Sequence, residues 1–163
     1  MIIGGIVLAA ILLLLTINGA NYFLAIAKMS FTEWLVFNAC APSNITYILC
    51  FAIFLITGDR TVLHIAILPL FFFGSLGLYL FPWSGHNIYA QISHLFMTLN
   101  VTWVLYGTFQ TGDYKAAAVG LLLGILIFAP FITFQQTYVG SHPEALKRVL
   151  GVGSEDFQKK FNL

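Results

Sequence analysis

The sequence predicts an all-α, polytopic membrane protein. Of its 163 residues, 60% are hydrophobic and only 8% are charged, whereas about a quarter of the residues in a soluble domain are charged. Five stretches of mostly apolar residues reach the length of about 20 that is needed to cross the hydrocarbon core of a bilayer. Because backbone amides in lipid need partners within their own segment, we expect all five stretches to be helices.

Short polar breaks separate the five predicted spans. The spans cover residues 2–24, 34–57, 61–81, 88–109 and 115–138. The breaks are residues 28–33, 58–60, 82–86 and 110–113. Connections this short make consecutive helices antiparallel neighbours. We therefore predict a five-helix bundle within residues 1–139, followed by a tail over residues 140–163.

The basic residues predict how the bundle is oriented. Five of the seven basic residues fall on one side of the membrane, namely Lys28, Lys147, Arg148, Lys159 and Lys160. The other side has Arg60 and Lys115. By the positive-inside rule, the C-terminal tail is cytoplasmic and the N-terminus lies outside. The tail has an apolar side and either lies on the membrane surface or is a frayed terminus.

Two similar segments suggest an internal repeat. Residues 44–49 read NITYIL and residues 100–105 read NVTWVL, and each segment is followed by a Thr-Gly-Asp turn and another span. This pattern is typical of a duplicated hairpin, formed by predicted spans 2 and 3 and by spans 4 and 5, in parallel orientation. Coincidence in a chain of few residue types is the alternative.

Polar uncharged side chains occur at membrane depth, among them Asn18, Asn44 and Asn100. They either bond helices to one another or line a path for a polar, uncharged solute. No Asp or Glu falls inside a predicted span, which disfavours proton-coupled or sodium-coupled transport. The net charge of +1 provides no basic stripe, so nucleic-acid binding is not expected.

The histidines and cysteines do not form a recognisable metal, cofactor or catalytic motif. His64 and His94 are predicted about 15 Å apart in depth, so one haem iron could not bind both. Each is either a hydrogen-bonded core residue or a pH-sensing group. Cys40 and Cys50 are too far apart on one helix to pair, and we interpret both as small buried hydrophobes. We expect no metal, no cofactor and no enzymatic activity.

Several short motifs occur in a recognisable order along the chain. They are residues 5–8 (GIVL), 18–19 (NG), 73–74 (FG), 89–100 (Tyr89, Ser93, Leu95, Phe96, Asn100) and 112–116 (GDYKA). Their order resembles that of the AmiS/UreI family of small urea and amide channels. The resemblance implies a ring-shaped homo-oligomer in which each protomer passes solute between apolar and aromatic constrictions. That family has six helices and a Trp-rich constriction, whereas this sequence predicts five helices with an aliphatic fifth.

The resemblance also implies where a pore would lie. Its narrow points fall on Leu8, Ile11, Leu15 and Phe73, and Asn18 and Asn100 would offer hydrogen bonds to the solute. The expected function is thus a channel or facilitator for small neutral polar solutes such as urea or short amides.

The alternative is a non-catalytic accessory subunit of a larger membrane complex. The three consecutive phenylalanines at residues 71–73 point around most of a helix, so at least one must face lipid or a partner.

Overall fold

The computed structural model describes residues 2–26, 28–80, 83 and 87–144. Every regular element among these residues is helical, which confirms the all-α class. The elements are α1 (Ile2–Ala20) with a π-helical extension (Asn21–Ile26), α2 (Phe31–Phe37), α3 (Cys40–Thr57), α4 (Thr61–Leu70) with a π-helical extension (Phe71–Ser75), α5 (Gly77–Leu80), α6 (Asn87–Thr111) and α7 (Tyr114–Ser141). Residues 145–163, which make up most of the predicted tail, lie outside the described part.

Four helical segments of the described chain are long and apolar enough to cross a membrane. They are Ile2–Ile26, Cys40–Thr57, Thr61–Leu80 and Tyr114–Ser141. The protein is therefore membrane-embedded and helical. Helix α6 has 25 residues, but it is less apolar than these four because it includes polar residues such as Gln91, His94 and Asn100.

The prediction of a continuous second span from residue 34 is wrong. Asn38 ends α2 with φ −114° and ψ 69°, and α3 begins only at Cys40. Helix α2 starts with a capping box, in which Glu33 N–H donates to Ser30 Oγ (3.2 Å) and Ser30 N–H donates to Glu33 Oε2 (2.9 Å). The Ser-x-x-Glu pattern thus starts a separate short helix, and the spanning helix is shorter than predicted.

Helix α4 and its π-helical extension lie at the centre of the bundle. Helix α4 packs against α3, α6 and α7, while α1 packs against α3 and α6. The largest fully buried apolar side chains of this core are Leu12, Tyr47, Leu63, Leu70 and Met97. The interior between α1, α3, α4 and α6 is therefore filled mainly by apolar side chains.

A proline explains the change of winding in the third span. Pro69 has no N–H group, so the carbonyl of Ile65 loses its helical partner. The chain widens into a π-helix two residues later, over Phe71–Ser75. Just beyond this segment, Gly77 lets α6 approach closely, since a Cβ atom there would lie 2.7 Å from the ring of His94.

Helix α7 docks on α4 through a G-x-x-x-G pattern that our sequence interpretation did not use. Gly120 faces the carbonyl of Thr61, and Gly124 faces the carbonyl of Ile65, where a Cβ atom would lie only 2.6 Å from the oxygen. Glycines spaced in this way let two membrane helices approach until their backbones touch. The carbonyl that Pro69 frees is thus covered by the Gly124 backbone.

Two Thr-Gly-Asp turns connect the helices at the same end of the bundle. Gly58 and Gly112 both have φ 72°, and their N–H groups donate to Phe54 O (2.8 Å) and Thr108 O (2.9 Å). Arg60 of the first turn pairs with Asp113 of the second, with Nε and Oδ2 3.3 Å apart. The two turns therefore share the conformation of their glycine and lie side by side.

Candidate functional site

A buried asparagine on α3 joins that helix to α1. Asn44 is 2% exposed, and its Nδ2–H donates to Thr16 Oγ1 (3.0 Å). The Thr16 hydroxyl in turn donates to Leu12 O (2.8 Å). Asn44 therefore bonds two helices together, which is one of the two roles predicted for the asparagines.

A second asparagine, on α6, reaches α1 at another level. Asn100 is fully buried, and its Nδ2 group donates to Leu8 O (3.4 Å) and to Phe96 O of its own helix (2.8 Å). Leu8 and Thr16 are eight residues apart, so the two asparagines contact α1 at levels about 12 Å apart.

Three side-chain polar atoms of α3 and α6 are buried without a hydrogen-bond partner among the described residues. They are Oδ1 of Asn44, Oδ1 of Asn100 and the hydroxyl oxygen of Tyr47. Tyr47 lies one helical turn from Asn44 on α3. A buried polar atom without a partner costs free energy, more so in lipid, so each of these atoms has unused hydrogen-bonding capacity. We call these three residues the polar column.

The predicted pore residues are only partly brought together. Leu8, Ile11 and Leu15 are half-buried on α1, and Leu8 contacts Asn100 through its carbonyl. Asn18 is exposed, and the ring of Phe73 packs edge-on against Phe131 of α7 with ring centres 6.4 Å apart. Asn18 and Phe73 therefore lie outside the polar column.

His64 connects α4 to α6 near the end of the bundle that carries the turns. Its ring is buried, with Nδ1 2.8 Å from Arg60 O and Nε2 2.7 Å from Thr108 Oγ1. The Thr108 hydroxyl also lies 3.0 Å from Val104 O. Because a hydroxyl has one proton, Thr108 donates either to His64 Nε2 or to Val104 O. Which of the two accepts depends on whether Nε2 carries a proton.

His94 lies near the other end of α6, in contact with a thiol. Its Nε2 atom is 3.3 Å from Cys40 Sγ, and its Nδ1 atom is 3.0 Å from Gln91 Oε1. His94 is thus a buried, hydrogen-bonded residue, which is one of the two roles predicted for it. Cys40 and His94 are 54 residues apart in sequence and share no motif, so sequence reasoning missed this pair.

The two histidines are well separated along the bundle. His94 and Thr108, which contacts His64, are fourteen residues apart on α6, which corresponds to about 21 Å along the helix axis. The described residues contain no group of three or more His, Cys, Asp or Glu that could hold a metal ion.

No protein-family model, curated protein or solved structure matches this chain. The similarity to the AmiS/UreI channels thus stays a prediction from short motifs. Any functional inference must come from the site itself.

Proposed function

We propose that this protein is a membrane channel or facilitator for small neutral polar solutes, such as urea or short amides. The polar column is the observation that carries this proposal. An amide has N–H donors for the two asparagine Oδ1 acceptors and a carbonyl oxygen that can accept from the Tyr47 hydroxyl. A solute that moves along α1 could exchange hydrogen bonds with these residues in turn.

The surroundings of the column favour neutral solutes over ions. The buried side chain of Leu12 and the half-buried side chains of Leu8 and Leu15 lie on the same helix as the Thr16 contact. Asp59 and Asp113 lie in the turns, away from the spans. Apolar walls without carboxylates do not replace the hydration shell of an ion, so ions should be excluded.

Helix α6 joins the four apolar segments as a membrane span in this proposal, and it is the fourth of five along the chain. At 25 residues it extends about 37 Å, which is enough to cross a bilayer. Its lower hydropathy is compatible with a span because polar side chains on it are buried against other helices, as Gln91, Asn100 and Thr108 are. The duplicated hairpin of spans 2–3 and 4–5 belongs to the same proposal, supported by the matching glycine conformation in the two turns.

The orientation follows from the same five-span topology. Arg60 and Lys115 lie at the turn end, and Lys28 lies at the opposite end. In sequence, four further basic residues follow α7. We therefore place the N-terminus outside and the C-terminus in the cytoplasm.

A second candidate role, as an accessory subunit of a larger membrane complex, is favoured by the surface of α7. Only four α7 residues are buried, whereas Leu122, Ile125, Leu126 and Ile127 are largely exposed. Such a surface faces lipid or packs against helices of another subunit. In a homo-oligomeric channel, the same surface is available for contacts between protomers.

Stopped-flow light scattering on proteoliposomes tests the proposed function. The experiment compares urea, acetamide, glycerol and water flux with protein-free vesicles, and it measures potassium leakage in parallel. We expect faster urea and acetamide flux without potassium leakage. Folded, inserted protein that gives no flux above protein-free vesicles would reject the channel and favour the accessory role, which co-purification of a stable partner would then support.

A further inference from the structure

The contact between Cys40 and His94 has no part in the proposed solute path. We propose that Cys40 is a reactive thiol that small neutral hydroperoxides, such as hydrogen peroxide, oxidise to a sulfenic acid, with His94 carrying the proton. This inference does not depend on solute passage. It rests on the order of hydrogen bonds from Leu78 through Gln91 and His94 to Cys40.

The amide of Gln91 determines which nitrogen of His94 faces the thiol as an acceptor. Gln91 Nε2–H donates to Leu78 O (3.4 Å), which leaves Gln91 Oε1 towards His94 Nδ1 at 3.0 Å. Because Oε1 only accepts, Nδ1 must be the protonated nitrogen of the neutral ring. His94 Nε2 therefore presents its lone pair to Cys40 Sγ at 3.3 Å.

The hydrogen bonds arrange Cys40, His94 and Gln91 as a nucleophile, a base and a residue that orients the base. Gln91 is fully buried and His94 is 3% exposed, so the imidazole is held in place. The carbonyl of Phe73 is a second acceptor for the thiol, but at 3.7 Å it is farther from Sγ than the imidazole is. The imidazole is therefore the nearest acceptor for the thiol proton.

The position of Cys40 in the fold leaves the residue partly exposed. Cys40 is the first residue of α3, an 18-residue helix whose N-cap residue, Ala39, makes no side-chain hydrogen bond to it. Cys40 is only half-buried, so a small molecule has less protein to displace than at a fully buried thiol.

The chemical step balances without a further reactant. His94 Nε2 accepts the thiol proton, and the thiolate sulfur attacks one oxygen of the peroxide. The O–O bond breaks, and the departing hydroxide takes the proton from Nε2–H to form water. Cys40 becomes a sulfenic acid and is oxidised by two electrons, the peroxide is reduced by two electrons, and His94 returns to its starting state.

Cys50 provides a matched control within the same helix. It is also half-buried and packs against the apolar core. No sequence motif distinguishes the two cysteines, so any difference in their reactivity reports on their surroundings. The proposal predicts that Cys40, and not Cys50, is oxidised by low concentrations of peroxide.

The experiment uses the full chain in liposomes, exposed to hydrogen peroxide in the presence of a dimedone-type probe that traps sulfenic acids. Mass spectrometry of the cysteine peptides gives the rate at each site. We expect Cys40 to be labelled at least about tenfold faster than Cys50, and His94→Ala to remove most of that difference. Equal labelling of the two cysteines, or a Cys40 rate that His94→Ala leaves unchanged, would overturn the proposal.

Two variants of Gln91 separate a positioning role from general destabilisation. Gln91→Glu keeps an oxygen acceptor for Nδ1–H, whereas Gln91→Leu removes it. We expect Gln91→Glu to retain the fast labelling of Cys40 and Gln91→Leu to lower it several-fold, with matched helical content by circular dichroism. If both variants label Cys40 as fast as the unmodified chain does, Gln91 does not orient the base and the proposed order of groups is wrong.

Discussion

The α3–α4 and α6–α7 hairpins share a short sequence segment and a Thr-Gly-Asp turn, and they pack differently. In each, an asparagine donates to α1, and the connecting turn has a glycine at φ 72°. Helices α3 and α4 of the first hairpin pack along each other, whereas α7 of the second hairpin packs mainly on α4 and contacts its own partner α6 little. Similar local sequence thus gives similar turns but does not fix the partner of the following helix.

The difference arises from the glycines of α7 and the proline of α4. Gly120 and Gly124 give α7 a flat strip that fits directly on the α4 backbone. Pro69 frees the Ile65 carbonyl at the place where Gly124 lies. Helix α7 can therefore pack on α4 without any change in the turn that precedes α7.

The largest effect is expected from closing the gap between α7 and α4. Gly124→Leu places a side chain against the Ile65 carbonyl, and overpacking of this kind costs about 1–3 kcal/mol. Gly140→Leu is the matched control, because a Cβ atom at Gly140 meets nothing within 4 Å. Unfolding titrations in mixed micelles measure both variants. Equal losses from the two substitutions would contradict the docking role of Gly124.

The next largest effect tests whether the two turns are equivalent. Gly58→Ala and Gly112→Ala each place a Cβ atom in the left-handed region at φ 72°, which costs about 1–2 kcal/mol. Nothing lies within 4 Å of either Cβ position, so backbone strain is the only contribution expected. The same unfolding titrations should give equal losses. A loss at only one turn would show that the hairpins differ there as well.

A smaller effect on stability is expected from removing the hydrogen bond between His64 of α4 and α6. Thr108→Val removes the hydroxyl that lies 2.7 Å from Nε2, and such a bond between membrane helices contributes about 0.6 kcal/mol on average. Thr133→Val is the control, because Thr133 is exposed and donates only within α7. The thermal unfolding midpoints of the two variants should differ by about 1–2 °C. Identical midpoints would mean that the His64 contact adds no stability.

The ion pair between the two turns should contribute still less to the stability of the fold. Arg60 and Asp113 are partly exposed, and pairs of this kind contribute about 0.2–1 kcal/mol. We expect Arg60→Gln to lower stability by this amount at low salt and by almost nothing at high salt. Unfolding titrations at two salt concentrations measure the change. A loss that is independent of salt would assign the effect of Arg60 to packing instead of charge.

The smallest effect on stability is expected from the first turn at low pH. The Thr61 N–H donates to Asp59 Oδ1 (2.8 Å), and this bond lowers the pKa of Asp59 below its ordinary value of 3.8. A carboxylate whose pKa is lowered by folding stabilises the fold above its unfolded pKa and loses that contribution as the pH falls through its folded pKa. We therefore expect a slight loss of stability below about pH 4.

The variant Asp59→Asn isolates this contribution, because the amide oxygen still accepts from Thr61 and does not titrate. Measuring unfolding of both proteins across this range should give a slightly weaker pH dependence for Asp59→Asn. An identical pH dependence would exclude Asp59 as a source of the acid effect.

Much of the fold could be predicted from the sequence, because apolar length and polar breaks determine where membrane helices begin and end. The break at Asn38 was missed because apolar residues continue on both sides of it, although the capping box at Ser30 is visible in the sequence. The π-helix after Pro69 was also missed, since a proline indicates disruption of a helix and does not specify its form.

The candidate site was less accessible to sequence reasoning. Asn44 and Asn100 could be recognised as polar residues at membrane depth, but their shared partner α1 follows only from packing. Motif similarity placed Asn18 and Phe73 on helices without telling which way their side chains face. The contact between Cys40 and His94 depends on the register of α3 against α6, which no local pattern encodes.

Urea flux through variants of the polar column tests the central claim most directly. Stopped-flow measurements would compare Asn44→Leu and Asn100→Leu with Thr102→Val, in which an exposed threonine that bonds only its own helix is replaced. If solute passes along the column, both asparagine variants should lose most of the urea flux at equal protein content, while Thr102→Val retains it. Unchanged flux through both asparagine variants would show that the solute does not pass along α1.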